Sequence, residues 1–248
     1  IWEVETSKCI ADIKAHNGTR SVSFSPDGKY LASAGYDRVV TLWDAQTFKW
    51  LISFQGHTGQ INSLSFSEDS RFIASASFDK TVKIWEMQTF KCLAPLQGHN
   101  SEVVNVSFSG DGKHITSLGK ENKVKIWDLQ TSKCLATFVG PVGDLKAKSC
   151  SRDGKRVASV ESYRAVKIWD VQTSKILATL SSNTEEVIYS ISFSEDGKYI
   201  ASGSSDKTVK IWEVDSEKCL ATLEGHDSNV ASVSFSPDGK FVASGSWD

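Results

Sequence analysis

Asp206-Lys207-Thr208-Val209-Lys210-Ile211-Trp212-Glu213 is the stretch that decides the fold of this 248-residue chain. Its tryptophan, preceded by an aliphatic residue, recurs as Trp2, Trp43, Trp85, Trp127, Trp169 and Trp212. The successive spacings are 41, 42, 42, 42 and 43 residues. Each tryptophan is followed at once by an acid: Glu3, Asp44, Glu86, Asp128, Asp170 and Glu213. The leading aspartate, six residues ahead of the tryptophan, recurs as Asp37 and Asp79. Further upstream stand Gly56-His57, Gly98-His99 and Gly225-His226, with Ala15-His16 as a near match. A period in this range, with landmarks in fixed order, marks one supersecondary unit repeated along the whole chain.

Each unit parses into four short strands. From Lys218, the run Lys218–Leu223 reads as an outer strand, and Gly225-His226 turns the corner. Val230–Phe235 alternates small and apolar residues at period two, as a strand packed on one face does. Pro237-Asp238-Gly239 reads as a tight turn in which glycine supplies positive φ. Phe241–Ser244 is the next strand. The same Asp-Gly turn appears at Asp27-Gly28, Asp111-Gly112, Asp153-Gly154 and Asp196-Gly197. The expectation is an all-β chain with one four-stranded sheet per repeat, a propeller over residues 1–248 as a single domain.

The phase of the two ends predicts six blades. Asp248 calls for a tryptophan six positions later, and the chain opens on Ile1-Trp2 in the matching phase. Joining the ends would take four residues, like Lys207-Thr208-Val209-Lys210. On this reading the last blade is shared by residues 1–14 and 227–248, which would leave no sheet edge unpaired. A seven-bladed ring, or a longer array of which this is a fragment, is the alternative. The absence of an initial Met makes Ile1 read as a cut or processed end.

Composition narrows the function classes. A formal charge of −2 leaves no electrostatic footprint for nucleic acid or an anionic membrane. No run approaches the about 18 apolar residues of a membrane span. No CxxC pair, glycine-rich phosphate loop or paired-carboxylate motif stands out, so neither metal nor cofactor is expected. Cys9, Cys92, Cys134 and Cys219 share one phase of the repeat, where Trp50 and Ile176 stand in the other two. That exchange predicts an apolar packing position, and Cys150 in place of a phenylalanine predicts another. Unpaired cysteines point to a reducing, cytoplasmic compartment. His114, beside Lys113, reads as a surface residue.

These landmarks resemble the WD-repeat β-propeller family across the whole chain. The resemblance implies a buried relay of His, Ser, Asp and Trp inside each blade. It maps onto His16, Ser33, Asp37 and Trp43; His57, Ser75, Asp79 and Trp85; and His99, Ser117, Glu121 and Trp127, with Glu in place of Asp. The fifth repeat keeps Ser202, Asp206 and Trp212, with Asn183 near the His position. The sixth has His226, Ser244 and Asp248, with Trp2 arriving from the other terminus. The fourth keeps Ser159 and Trp169 but places Pro141 and Tyr163 where His and Asp would stand. Ser, His and Asp also invite a catalytic reading. Their recurrence from blade to blade argues instead for packing, because a triad needs one exposed nucleophile beside one oxyanion hole.

The family has many unrelated uses, so partner identity is not legible. A non-enzymatic scaffold that binds proteins or peptides on one face is the expected function. The alternatives are a propeller enzyme or small-ligand binder using the central channel, and a sensing arm of a larger signalling protein. Family geometry gathers on one face the residue before the turn Asp and positions ahead of the inner-strand Phe. There Arg20, Tyr36, Phe78, Tyr189 and Trp247 form an arc of residue types enriched at binding hot spots. The third and fourth repeats present charges at these positions.

Overall fold

The computed structural model describes residues 1, 8–139, 148–151, 153–161, 164–173, 175–181, 186–236 and 238–248, without the side chains of Val139, Lys148, Cys150 and Glu161. It contains strands, turns and no helix among these residues. The chain falls into two compact units, Ile1–Phe108 and Ser109–Asp248.

In the first unit, β1 (Thr19–Phe24), β2 (Tyr30–Gly35), β3 (Val40–Asp44) and β4 (Trp50–Phe54) form an antiparallel sheet in chain order. β5 (Ile61–Phe66), β6 (Phe72–Ser77), β7 (Val82–Glu86) and β8 (Lys91–Cys92) form a second sheet, and β9 (Val103–Phe108) follows it. In the second unit, β10 (His114–Gly119), β11 (Lys123–Asp128) and β12 (Cys134–Val139) pair in order. β13 (Lys148–Cys150), β14 (Arg156–Glu161), β15 (Ala165–Asp170) and β16 (Ile176–Ser181) make the next sheet. β17 (Ile188–Phe193), β18 (Tyr199–Ser204), β19 (Val209–Glu213) and β20 (Lys218–Leu223) make another, and β21 (Val230–Phe235) pairs with β22 (Val242–Ser246). The four-strand repeat is therefore as the sequence parses it. Residues 2–7, which contain the first tryptophan, lie outside the described set, and the last sheet holds two described strands.

Local chemistry explains the turns. Gly28 adopts φ 70° and its N–H closes on Ser25 O at 2.9 Å, while Asp27 accepts from Ser25 Oγ at 2.6 Å and Lys29 N at 3.1 Å. The second repeat builds the same turn with Ser70 at φ 58°, the strained version of the glycine position.

Second strands such as β2 are buried on both faces almost throughout, which their Ala and Ser residues permit. Apolar faces of consecutive sheets interlock. Val40, Leu42 and Phe54 pack with Ile61, Leu64, Phe66, Ile73 and Trp85. In the second unit Val166, Ile168 and Leu180 pack with Ile188, Ile191, Phe193, Ile200 and Trp212. The aromatic contacts are direct, with Phe54 and Trp85 centroids 5.2 Å apart and Phe138 and Trp169 5.0 Å apart.

Serine side chains stitch the first strands of neighbouring sheets together. Leu64 N donates to Ser21 Oγ at 3.0 Å, Val106 N to Ser63 Oγ at 3.3 Å and Phe108 N to Ser65 Oγ at 3.2 Å. The second unit repeats this with Phe193 N to Ser149 Oγ, Val233 N to Ser190 Oγ and Phe235 N to Ser192 Oγ, at 3.1 to 3.2 Å. A first strand is a sheet edge, and these hydroxyls satisfy edge N–H groups that no strand pairs.

Two expectations need correction. Cys9, Cys92, Cys134 and Cys219 are exposed, as are Trp50 and Ile176. This phase sits on the outermost strand, opposite the sheet's tryptophan, as in Trp85↔Cys92 and Trp212↔Cys219. The position is exposed in every described repeat, so it tolerates Cys, Trp or Ile because it is open. Cys150 lies in β13, its side chain outside the described set. His114 is half-buried, with Nδ1 3.5 Å from Asp111 Oδ2, and is not a free surface residue.

Equivalent positions differ in cover, which sets up a test. Phe54 is 3% exposed beneath Trp85, whereas Leu223, at the same place in its sheet, is 45% exposed. Phe54→Ala should cost about 3–5 kcal/mol, the range for truncating a packed core Phe. Leu223→Ala should cost under about 1.5 kcal/mol, since little of the side chain leaves a packed environment. Denaturant titration of both variants measures the difference, and equal losses would refute the packing assigned to them.

Candidate functional site

In the first, second and last sheets the His, Ser and Asp of the relay lie within hydrogen-bond distance of one another. In the second sheet Trp85 Nε1 donates to Ser75 Oγ at 2.9 Å, Ser75 Oγ lies 2.7 Å from His57 Nε2, and His57 Nδ1 lies 2.7 Å from Asp79 Oδ2. Asp79 also accepts from Thr58 N at 3.0 Å, Thr81 N at 3.0 Å and Thr81 Oγ1 at 2.6 Å. Burial alone would raise the Asp79 carboxyl. The hydrogen bonds from His57, Thr81 and Thr58 N together override it and hold the group well below the ordinary carboxylate range. An ionised carboxylate only accepts, so Nδ1 carries the proton and Nε2 accepts from the serine hydroxyl. The serine therefore spends its hydrogen on the histidine while its oxygen receives the indole N–H, and it is fully buried.

The first sheet repeats the arrangement with Trp43 to Ser33 at 2.9 Å, Ser33 to His16 at 2.8 Å and His16 to Asp37 at 2.6 Å. In the last sheet His226 lies 2.8 Å from Ser244 and 3.1 Å from Asp248, in a more exposed setting. Trp127 donates to Ser117 at 2.8 Å, and Trp169 to Ser159 at 2.9 Å. His99 is buried and Glu121 half-buried. Trp2, Pro141, Tyr163 and Asn183 lie outside the described residues.

The fifth repeat holds a solution that pattern reading missed. Trp212 donates to Ser202 at 2.9 Å, but Asp206 is bonded by the Lys210 ammonium, assisted by Thr208 Oγ1 at 2.7 Å. Glu186 sits 3.8 Å from the same ammonium. Burial pushes Asp206 up, but the bond and charge of Lys210 together with the bonds from Thr208 outweigh it, so the carboxyl is again lowered. Register does not announce it, because Lys83 faces Ser75 just as Lys210 faces Ser202; the cue in the sequence is Asn183 near the position where other repeats place His.

Above the relay, backbone bulges aim side chains at one edge of four of the sheets. The β1–β2 ladder slips between Thr19 and Ser21, and the residue passed over is Arg20. The same slip leaves out Asn62, Tyr189 and Ala231. A bulged residue is released from pairing, and its side chain is re-aimed. The residue before each turn Asp is then tied down by its own backbone: Tyr36 N to Gly18 O at 3.2 Å, Phe78 N to Gln60 O at 2.9 Å, and Trp247 N to Asn229 O at 3.1 Å.

In the first unit the two sets converge. The Arg20 guanidinium carbon lies 4.9 Å from the Tyr36 ring centre and 5.7 Å from that of Phe78. Arg20 donates to Asn62 Oδ1 at 2.8 Å and to Tyr36 OH at 3.2 Å, while Asn62 is itself fixed by donating to Val103 O at 2.9 Å. Tyr36 lies flat on Gly18, where a Cβ would come within 2.3 Å of the ring. In the second unit the Tyr189 and Trp247 rings pack at a tilt of 46° with centroids 5.3 Å apart, and Trp247 is 63% exposed. The five hot-spot candidates thus form two clusters, one in each unit, and each cluster is ordered by its own contacts.

Asp79→Ala should cost about 1–3 kcal/mol by stranding buried donors. Because the folded-state carboxyl is depressed, its contribution is present above about pH 4 and fades as pH falls further, so the deficit should shrink in acid. Lys210→Ala should cost a comparable amount, whereas Lys83→Ala, in a sheet where histidine serves, should cost under about 0.5 kcal/mol. Denaturant unfolding at several pH values checks all three, and equal effects at Lys83 and Lys210 would refute the substitution of one relay member for another.

The chain matches the family described as WD domain, G-beta repeat, over residues 7–44, 48–86, 90–128, 174–213 and 217–248. The unmatched interval contains the repeat with Pro141 and Tyr163. It is 43% identical over 58 residues to nuclear distribution protein PAC1 of Coccidioides posadasii, covering 23% of this chain and 12% of that protein. It is 48% identical over 44 residues to general transcriptional corepressor TUP1 of Saccharomyces cerevisiae, covering 18% and 6%. It is 45% identical over 61 residues to the Notchless protein homolog of Arabidopsis thaliana, covering 24% and 13%. Each match therefore spans a small part of the relative's length. With the matched segments covering most of its length, the chain belongs to the WD domain, G-beta repeat family.

Proposed function

We propose that this chain is a non-enzymatic scaffold that docks a protein or peptide on the face carrying Arg20, Tyr36, Phe78, Tyr189 and Trp247. The observation that carries this reading is the pair of ordered, exposed clusters at Arg20 and Trp247. Preformed aromatic and arginine groups lose little conformational entropy on binding, which is why they dominate hot spots. A catalytic use of the Ser–His–Asp sets is disfavoured by Ser75 and Ser33, which are buried and already receive an indole N–H. The first-strand serines are likewise spent on backbone N–H groups, which disfavours a channel chemistry built on them.

The tryptophan spacing supports six blades in one propeller domain. Free thiols at Cys9, Cys92, Cys134 and Cys219 fit a reducing compartment inside the cell. Neither nucleic acid nor membrane is the expected partner for a chain of formal charge −2.

Random twelve-residue peptides displayed on phage and selected on the intact chain test the reading. Selected peptides should lose roughly 1–4 kcal/mol of binding to Arg20→Ala or Trp247→Ala, with unchanged melting curves for both variants. Full binding by the folded double variant would move the docking surface off this face.

A further inference from the structure

The cations of the first unit's face are not matched by acids at its surface. Arg38 and Lys80 follow the turn aspartates Asp37 and Asp79, and both adopt positive φ, at 68° and 71°. Each aspartate turns its carboxylate inward. Asp37 is taken by His16 at 2.6 Å and Val39 N at 3.4 Å, and Asp79 by His57, Thr58 and Thr81. The Asp79 carboxylate is nearly buried and that of Asp37, though partly exposed, is engaged by its own turn and His16, while Arg38 and Lys80 stand exposed without an acid partner. Among the described residues neither these two nor Arg20 forms an ion pair. Arg38 meets only the carbonyl of Thr58, at 3.4 Å. Glu102, at the position equivalent to Gly18 and Gln60, is half-buried and already engaged.

Arg20 sits among these cations in a fixed pose. Its guanidinium lies over Tyr36 and Phe78 and spends one donor on Asn62 and one on Tyr36. A guanidinium carries further N–H donors, and its planar fork matches a carboxylate. Held by rings and an amide, it loses less freedom on pairing than a mobile surface arginine would.

We propose that this face, formed by Arg20, Tyr36, Arg38, Phe78 and Lys80, binds an acidic protein segment. A carboxylate of the segment pairs with the fixed Arg20 guanidinium, neighbouring carboxylates meet Arg38 and Lys80, and apolar side chains cover the two rings. The inference rests on the docking face proposed above and adds the chemistry of its partner. A protein segment fits better than a nucleic acid because the cations are few and interleaved with aromatic rings, and the chain as a whole is slightly acidic.

The sequences of peptides selected on the intact chain decide the matter, read together with their response to variants. Binders that weaken about tenfold or more on Arg20→Ala should be enriched in Asp and Glu. They should weaken further in Arg38→Ala and Lys80→Ala and as salt is raised from low to physiological strength. Arg20→Lys should restore only part of the loss, since an ammonium lacks the planar fork. Face-dependent binders without acidic enrichment would overturn the acidic partner while leaving the docking face standing. Binders indifferent to every face variant would overturn both. Stronger competition for Arg20 by single-stranded DNA than by the acidic peptides would assign the face to nucleic acid and overturn the proposal.

Discussion

A tryptophan reaching across one strand to a serine hydroxyl is the interaction on which this chain depends. Five sheets show it at 2.8 to 2.9 Å, in Trp43–Ser33, Trp85–Ser75, Trp127–Ser117, Trp169–Ser159 and Trp212–Ser202. It has two effects at once. The indole N–H finds its partner inside a packed sheet, and the ring is held where it covers the preceding sheet, as Trp85 covers Phe54. Sheets that lack its histidine partner still keep this bond. The histidine and carboxylate belong to a second layer that ties the turn to the hydroxyl.

That second layer is chemically adaptable. Asp79 and Asp206 open identical octapeptides, yet one carboxylate is met by an imidazole and the other by an ammonium. What the turn requires is a donor of positive character beneath a desolvated carboxylate, not one residue type. Placing the donor on the adjacent strand instead of the incoming loop frees the loop to change sequence. The tryptophan phase needs no such freedom and stays regular throughout.

The repeat and its four strands were legible because they rest on period and alternation, which a sequence displays directly, whereas the Lys210 partner of Asp206 was not. Val230–Phe235 and Lys218–Leu223 are strands with the bounds their patterns implied. The cysteine phase misled because apolar residues at one register look alike whether they face a core or an open edge. Only the position of the strand in its sheet separates the two, and Cys92 or Cys219 lies on the outermost one. His114 misled similarly, since its neighbour Asp111 comes from the preceding turn and its burial comes from packing that no local pattern records. Arg20, Tyr36 and Phe78 were picked out by residue type. Their mutual arrangement depended on two bulges and a glycine under a ring, features of geometry more than composition.

The bulges carry a consequence for how such a surface diversifies. Arg20, Asn62, Tyr189 and Ala231 occupy one structural slot and share no chemistry. Because the slot stands outside the ladder, its occupant makes no strand pairing that a replacement would forfeit. On the docking reading proposed above, recognition and folding are written in separate positions of these repeats, and a lineage can exchange the first without redrawing the second.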